Sequence, residues 1–185
     1  WDGSTKTEPQ QNAGIYQITN GAELAWFAAQ VNDGNTEIQG VLTENINLAN
    51  HTWTAIGTST EKFSGTLDGN QHSVNGLKGK QGLFDYVAKE GVIRNVICQV
   101  EITGTGNVGG IAGTLEGTVE NCLVKGSISG APDYGSQAVG GIAGRMQGAD
   151  SQVLHCVNQA TVQNTCTSYA STLNTGGIAG YCYGR

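Results

Sequence analysis

The stretch Val108-Gly109-Gly110-Ile111-Ala112-Gly113 decides the fold, because close copies of it recur at 139–144 and 175–180. The copies are 31 residues apart from Ala112 to Ala143 and 36 residues apart from Ala143 to Ala179. Self-similarity with this period is typical of stacked repeat architectures. The repeated structural positions are Gly110, Ile111, Gly113, Gly141, Ile142, Gly144, Gly177, Ile178 and Gly180.

Two further strand-like segments follow each of the first two copies. The second strands are 117–124 and 151–158, and the third strands are 126–130 and 160–163. A diverged coil precedes them at 82–84 and 91–96. Apolar and polar residues alternate within these segments, so the apolar side chains of each strand are expected to face a common interior. Glycines are expected at the corners, where the backbone needs positive φ values or a close approach. The pattern predicts an all-β, right-handed parallel β-helix (solenoid) of three-strand coils in which Ile111, Ile142 and Ile178 are vertical neighbours.

Glycine-rich segments also bind phosphate, but that use requires a spaced Gly-x-Gly-x-x-Gly or a Gly-Lys-Ser/Thr ending with a long helix after it. No copy of the repeat has these features. The repeated glycines are therefore interpreted as structural.

One helix is predicted, at about residues 21–32. Asn20 and Glu23 have the spacing of a capping box, and Leu24, Phe27 and Val31 recur at helical spacing. This helix is expected to cover the N-terminal end of a single domain, 1–185, in which 1–80 form a cap and irregular coils and 81–185 form the repeats. No cap follows Gly180, which suggests flanking domains of a longer chain or a partner at that end.

Composition excludes several functional classes. Of the 185 residues, 13% are charged, 29 are glycine, and the net charge is −6. Nucleic acid is not expected as a partner, because its affinity depends on clustered Lys and Arg. No apolar run approaches the roughly 20 residues of a membrane helix, so membrane insertion is not expected either. No signal peptide precedes Trp1, so if one exists, it is expected to have been removed or to lie outside this sequence.

The order of several motifs carries a resemblance to a known family. These are Trp1-Asp2-Gly3-Ser4, Glu23-Leu24-Ala25-Trp26-Phe27-Ala28, Ile46-Asn47-Leu48, Trp53-Thr54-Ala55-Ile56-Gly57 and Phe63-Ser64-Gly65-Thr66-Leu67-Asp68-Gly69-Asn70. Together with the Gly-Gly-Ile-Ala-Gly coils, they resemble bacterial GLUG-motif cell-surface proteins, which include adhesins and the non-catalytic regions of immunoglobulin A peptidases. The resemblance implies a parallel β-helix and an extracellular, secreted or wall-associated location. Asn45, Ala55 and Gln71 depart from the family pattern.

Enzymatic activity is not expected. A glycosidase needs two facing carboxylates, and acidic residues at matching coil positions would reveal them. Asp68-Gly69-Asn70 is interpreted as a tight turn, and three scattered histidines indicate no metal site. Neither a cofactor nor a metal ligand set is predicted. The remaining acidic candidates fall at turns or non-matching positions: Asp85, Glu90, Glu116, Glu120 and Asp150.

Five cysteines prevent complete pairing within the chain. Cys122 and Cys156 occupy matching positions in adjacent coils, where Val96 stands in the coil before. They are predicted to point inward as free thiols, although the spacing of neighbouring rungs does not forbid a disulfide. Whether Cys166 pairs with Cys182 stays open.

Insertions in repeat arrays mark the variable face, which is often the binding face. Two insertions, 131–137 and 166–174, precede the later copies and are expected to leave from the same corner. Asp133, Tyr134, Tyr169 and Asn174 are the candidate ligand-binding residues, suited to a glycan or a host surface protein. The sequence thus favours a non-catalytic adhesion or display module. The alternatives are a lyase-like or glycosidase-like enzyme and a structural part of a surface peptidase.

Overall fold

The computed structural model describes residues 1–130, 137–165 and 173–183, and within them one helix and 19 strands are present. The first elements are β1 (Gln10–Asn12), β2 (Ile15–Ile18), α1 (Gly21–Asn32), β3 (Gln39–Leu42), β4 (Ile46–Asn47), β5 (Thr66–Asp68), β6 (Ser73–Gly79), β7 (Phe84–Val87), β8 (Val92–Arg94) and β9 (Ile97–Gly104). The later strands are β10 (Asn107–Gly109), β11 (Ala112–Leu115), β12 (Thr118–Glu120), β13 (Leu123–Gly130), β14 (Gln137–Gly140), β15 (Ala143–Gln147), β16 (Gln152–Leu154), β17 (Val157–Asn164), β18 (Leu173–Gly176) and β19 (Ala179–Tyr183).

The strands form four sheets in which successive repeats lie side by side. Their orders are β1-β2-β3-β5-β8-β12-β16, β10-β14-β18, β19-β15-β11-β7 and β17-β13-β9-β6-β4. Every pairing between these named strands is parallel except that of β1 with β2. The predicted all-β fold with parallel strands and one helix is confirmed.

The repeats stack in register at the residues that define them. The amide of Ile111 donates to the carbonyl of Ile142 at 3.0 Å, and the amide of Ile142 donates to the carbonyl of Ile178 at 2.8 Å. Ile111 and Ile142 are fully buried, whereas Ile178 is 41% exposed because no described strand covers the last repeat. Each repeat thus buries its apolar residues against the next one.

The prediction of three strands per coil is wrong for the regular repeats, which contribute four. The Gly-Gly-Ile-Ala-Gly segment bends and splits between β10 and β11, and again between β14 and β15. A Cβ atom at Gly109 would lie 2.3 Å from the carbonyl oxygen of Ala112 and 2.6 Å from the amide nitrogen of Gly144. Only glycine permits the two arms of this bend to approach so closely.

A second corner is built without glycine. Asn95, Asn121 and His155 occupy equivalent positions in three successive repeats and have φ values of 55°, 51° and 52°. Asparagine tolerates this left-handed conformation better than most residues, because its short polar side chain bonds locally. The corner residues therefore form a column that turns the chain from β8, β12 and β16 into the five-stranded sheet.

Helix α1 packs on the core at the N-terminal end. The Asn20 side chain accepts hydrogen bonds from the amides of Ala22 and Glu23, as the capping prediction requires. Glu23, however, accepts from the amide and hydroxyl of Thr19 rather than from the amide of Asn20. Leu24, Phe27 and Val31 are fully buried in the same apolar cluster as the repeats.

The irregular segment before the regular repeats contains few strands. Thr52, Ile56 and Phe63 each form an isolated parallel bridge. Asp68-Gly69-Asn70 lies at a turn, and because β5 and β6 belong to different sheets, this turn forms a corner between them. A Cβ at Gly69 would lie 2.5 Å from the backbone of the next coil, which explains the glycine.

Candidate functional site

The two insertions leave the fold at one corner. Strands β13 and β17 end at the paired residues Gly130 and Asn164, and β14 and β18 begin at the paired residues Gln137 and Leu173. The preceding repeat crosses the same corner with two residues, Thr105 and Gly106. The prediction of a shared corner is therefore confirmed for the ends of both insertions.

Of the four predicted ligand-binding residues, the structure describes Asn174. Asp133, Tyr134 and Tyr169 lie outside the described residues, so the proposed tyrosine pair stays a prediction. Asn174 lies in β18, where it pairs with Ala138 and is half-buried. Cys166 also lies outside the described residues.

The five-stranded sheet next to this corner presents a polar outer face. Its strands alternate buried apolar residues with exposed ones, as in β9, where Cys98, Val100 and Ile102 are buried and Gln99 and Glu101 are exposed. Equivalent outward residues stack in columns across the repeats. One column contains Gln99, Lys125 and Gln159, and the next contains Lys78, Glu101, Ser127 and Thr161.

A groove of about 470 Å³ crosses this face and touches four neighbouring strands, β4, β6, β9 and β13. With strands about 4.8 Å apart, it extends roughly 14 Å along the direction in which the repeats stack. Its polar lining residues are Asn47, Asn50, Asn75, Gln99, Glu101 and Ser127.

Two strand glycines shape the groove. Gly76 has φ +67° and lies at the register shift between Val74 and Leu77, and Gly126 has φ +105° within β13. A Cβ at Gly126 would lie 2.0 Å from the carbonyl oxygen of Val100, and one at Gly76 would lie 2.9 Å from the amide nitrogen of Asn50. Both positions therefore exclude a side chain, and both glycines line the groove.

A second cavity, of about 270 Å³, lies between the N-terminal turn and α1. Trp1 and Trp53 line it on one side and Ala28, Ala29 and Asn32 on the other. The two indole rings meet edge to face with their centroids 5.9 Å apart. The Trp53 indole donates to the carbonyl of Leu83 and is buried, so it is part of the packing between segments.

Three of the six acidic candidates, Asp68, Glu116 and Asp150, pair with basic residues. Glu116 pairs with Lys62 at 2.8 Å, and Asp150 pairs with Lys89 at 2.8 Å. Burial raises the pKa of Asp68, but hydrogen bonds from Asn95, the amide of Asn70 and Arg94 outweigh it and lower the pKa overall. Glu116 and Asp150 lie between strands, where these partly or fully exposed pairs contribute little to stability.

Asp85 differs from the other carboxylates. It lies in β7 opposite Gly113, whose Cβ would come within 2.9 Å of the Asp85 Oδ1 atom. Burial raises the pKa of Asp85 to about 6. No hydrogen bond to its carboxylate is found within the described part of the chain, so the charge of Asp85 is poorly compensated.

The free thiols expected for Cys122 and Cys156 are confirmed, and Cys98 and Cys182 are free as well. The amide of Cys122 donates to the Cys156 sulfur at 3.4 Å. A hydrogen bond between the two thiols raises the pKa of Cys122 and lowers that of Cys156. Cys98, which the sequence reasoning did not single out, is completely buried next to this pair.

Residues 1–130, 137–165 and 173–183 contain no group of three or more His, Cys, Asp or Glu side chains suited to holding a metal ion. Over the same ranges, no helix is long and apolar enough to cross a membrane.

Comparison with known proteins shows the fold and leaves the family open. No protein-family profile matches the chain. A segment of 77 residues, 38% of the chain, is 35% identical to halomucin from Haloquadratum walsbyi and covers 1% of that protein. The chain also superposes, over 98% of its length and with a TM-score of 0.69, on the crystal structure of "a putative immunoglobulin A1 protease from Bacteroides ovatus". Identity to that structure is 22%, and the chain spans 55% of it.

Proposed function

We propose that this chain is a non-catalytic, extracellular adhesion or display module of a bacterial surface protein, with a glycan or a host surface protein as its ligand. The observation that carries the proposal is the shared corner, where paired strands of two successive repeats end and begin on either side of insertions that differ in length and sequence. A rigid stack with variable segments on one corner separates the scaffold from the binding residues.

The scaffold is best understood as a right-handed parallel β-solenoid. Parallel strands of consecutive repeats are joined by crossover connections, and such connections are right-handed in nearly all known cases. The in-register hydrogen bonds from Ile111 to Ile142 to Ile178 support one winding direction throughout. A parallel β-solenoid is also the fold that the sequence resemblance to GLUG-motif proteins implies.

The extracellular location rests on the resemblance to GLUG-motif surface proteins and is supported by the two similar proteins, halomucin and the Bacteroides protein. A surface dominated by amides, hydroxyls and glycine, with few charges, agrees with it. Flanking domains of a longer chain would then be the parts that the module spaces or displays.

A structural role within a surface peptidase is the second candidate, and the fold likeness to the Bacteroides protein favours it. This role requires no ligand, because the module would only position a catalytic domain. An enzyme acting on glycans has weaker support, since Glu116, Asp150 and Asp68 are engaged with basic partners.

Glycan-array binding of the wild type and of Tyr134→Ala and Tyr169→Ala tests the adhesion proposal. Tyr183→Ala is the matched control, because Tyr183 is an exposed tyrosine of β19. Strand β19 belongs to the four-stranded sheet, whereas the strands that flank the insertions belong to two other sheets, β17-β13-β9-β6-β4 and β10-β14-β18. The proposal predicts selective binding that the two insertion variants weaken and the control retains. Release of new reducing ends from a bound glycan would contradict the non-catalytic role.

A further inference from the structure

We propose that the groove across β4, β6, β9 and β13 is a binding site for an uncharged oligosaccharide that lies along the stacking direction of the repeats. The inference builds on the proposed binding role but places the ligand on the sheet face instead of on the insertions. It rests on the shape of the groove, its unused hydrogen-bonding groups and its balance of charge.

The shape suits an extended ligand. The groove continues over four neighbouring strands and is open to solvent along its length. At Gly76 and Gly126 the absence of a side chain exposes backbone at the floor, so a ligand can approach it closely. Leu77 and Val100, which also border the groove, are buried and hold the floor to the core.

The lining residues offer both donors and acceptors that the protein leaves free. Within the described residues, the side chains of Asn50, Gln99 and Ser127 make no hydrogen bond. Asn47 uses its Oδ1 atom to accept from the amide of Ala49, so its NH₂ group stays free. Asn75 donates from Nδ2 to Ser73, so its Oδ1 atom stays free.

This mixture fits sugar hydroxyls, each of which donates and accepts at the same time. A peptide strand is a poorer fit, because β6, β9 and β13 already have a parallel neighbour on both sides, and the edge strand β4 is only two residues long. The mixture of free donors and acceptors along the groove therefore points to a polyhydroxylated ligand.

The charge of the groove favours an uncharged ligand. Its one acidic lining residue, Glu101, pairs with Lys78 at 3.0 Å, and both side chains are exposed. Lys125 adds a single positive charge at the margin, next to Gln99 in the outward column. No cluster of basic side chains of the kind that recognises sulfate or phosphate lines the groove.

The test compares each groove residue with a residue of the same column that lies outside the groove. Gln99→Ala and Ser127→Ala remove free polar groups from the lining, whereas Gln159→Ala and Thr161→Ala alter their counterparts on β17, which does not line it. All four residues are exposed, so the variants are expected to fold, and circular dichroism verifies this. The probe is an array of neutral, sialylated and sulfated glycans, followed by titration calorimetry with the strongest neutral hit.

The groove proposal predicts neutral hits, about two- to ten-fold weaker binding for each groove variant, and unchanged binding for the two β17 variants. Binding that Gln99→Ala and Ser127→Ala leave unchanged but Tyr134→Ala abolishes overturns the groove and retains the adhesion proposal. Hydrolysis of a ligand bound in the groove supports the groove and overturns the non-catalytic role. An array without neutral hits overturns the groove proposal.

Discussion

At the scale of the residue, the repeated glycines differ in what surrounds them, although the sequence presents them as equivalent. A Cβ atom at Gly141 would lie 2.1 Å from the carbonyl oxygen of Gly177 and 2.3 Å from the Asn158 side chain. At Gly177, the same position one repeat later, a Cβ atom would meet nothing within 4 Å. The difference arises because no described strand covers the last repeat.

Gly141→Ala is therefore expected to lower the free energy of unfolding by about 1–3 kcal/mol, because backbone must move to admit the methyl group. Gly177→Ala, the matched control, should change it by no more than about 0.5 kcal/mol. Urea denaturation of both variants measures the effect. Equal destabilisation by the two substitutions would contradict the packing described for the repeat.

Asp85 should make stability depend on pH. Its folded pKa of about 6 lies above the ordinary value of 3.8, so the folded protein binds more protons between these two values. Stability from this residue is present at low pH, falls as pH rises from 3.8 to about 6, and is constant above that. Asp85→Asn is expected to raise the melting temperature relative to wild type at neutral pH and to give no gain below pH 3.8.

The comparison between wild type and Asp85→Asn separates this effect from that of Asp68, whose lowered pKa acts in the opposite direction. Thermal melts across the acid range provide the measurement. A gain in melting temperature that is the same at every pH would show that the Asp85 charge is well solvated.

Cys156 should react with thiol reagents more readily than its neighbours Cys98 and Cys122. The hydrogen bond from Cys122 favours the Cys156 thiolate, whereas burial raises the pKa of Cys98 to about 12. Iodoacetamide is expected to label Cys156 in the native protein while Cys98 and Cys122 stay unlabelled. Cys122→Ala should shift the labelling of Cys156 to higher pH, and mass spectrometry measures both results. Labelling of Cys122 before Cys156 would be contrary to this arrangement.

At the scale of the element, the N-terminal helix depends on its cap. Asn20→Ala removes the acceptor for the amides of Ala22 and Glu23 and is expected to lower the free energy of unfolding by about 1 kcal/mol. Asn20→Ser is the rescue variant, since serine is an equally good N-cap residue. Chemical denaturation provides the comparison, and a serine variant as unstable as the alanine variant would argue against capping.

The helix and the regular repeats were predictable because local signals decide them. Asn20, the apolar spacing to Val31 and the recurring Gly-Gly-Ile-Ala-Gly segment each mark an element without knowledge of its neighbours. The bend within that segment was missed, because the backbone of Gly144 comes close to Gly109 only after the repeats stack. The asparagine corner was missed because Asn95 and Asn121 were assigned to the interior of the predicted strands 91–96 and 117–124, whereas β8 and β12 end just before them.

The candidate groove was not predictable from repeat matching, because it crosses the regular and irregular coils. Asn47 and Asn75 come from the irregular segment, and they join Gln99 and Ser127 only through the sheet. One local signal was present: Gly126 interrupts the alternation of β13, and an isolated glycine inside a strand suggests a bulge or a close approach. The insertions were predictable as positions, although their tyrosines lie outside the described residues.

At the scale of the whole molecule, stability should decrease towards the last repeat. Strands β9, β11 and β13 have a parallel neighbour on both sides, whereas β17 and β19 have one among the described strands. Amide hydrogen exchange followed by mass spectrometry is expected to show the slowest exchange in β9 and β11 and faster exchange in β17 and β19. Uniform protection across all repeats would indicate that the molecule opens as one unit.

The stacking of the repeats supports every functional proposal, since it aligns the insertions at one corner and joins four strands into the groove. The most direct test is NMR detection of scalar couplings across hydrogen bonds. One coupling is predicted between the amide nitrogen of Ile111 and the carbonyl carbon of Ile142. A second is predicted between the amide nitrogen of Ile142 and the carbonyl carbon of Ile178. Couplings from Ile111 and Ile142 to carbonyls other than these would contradict the account.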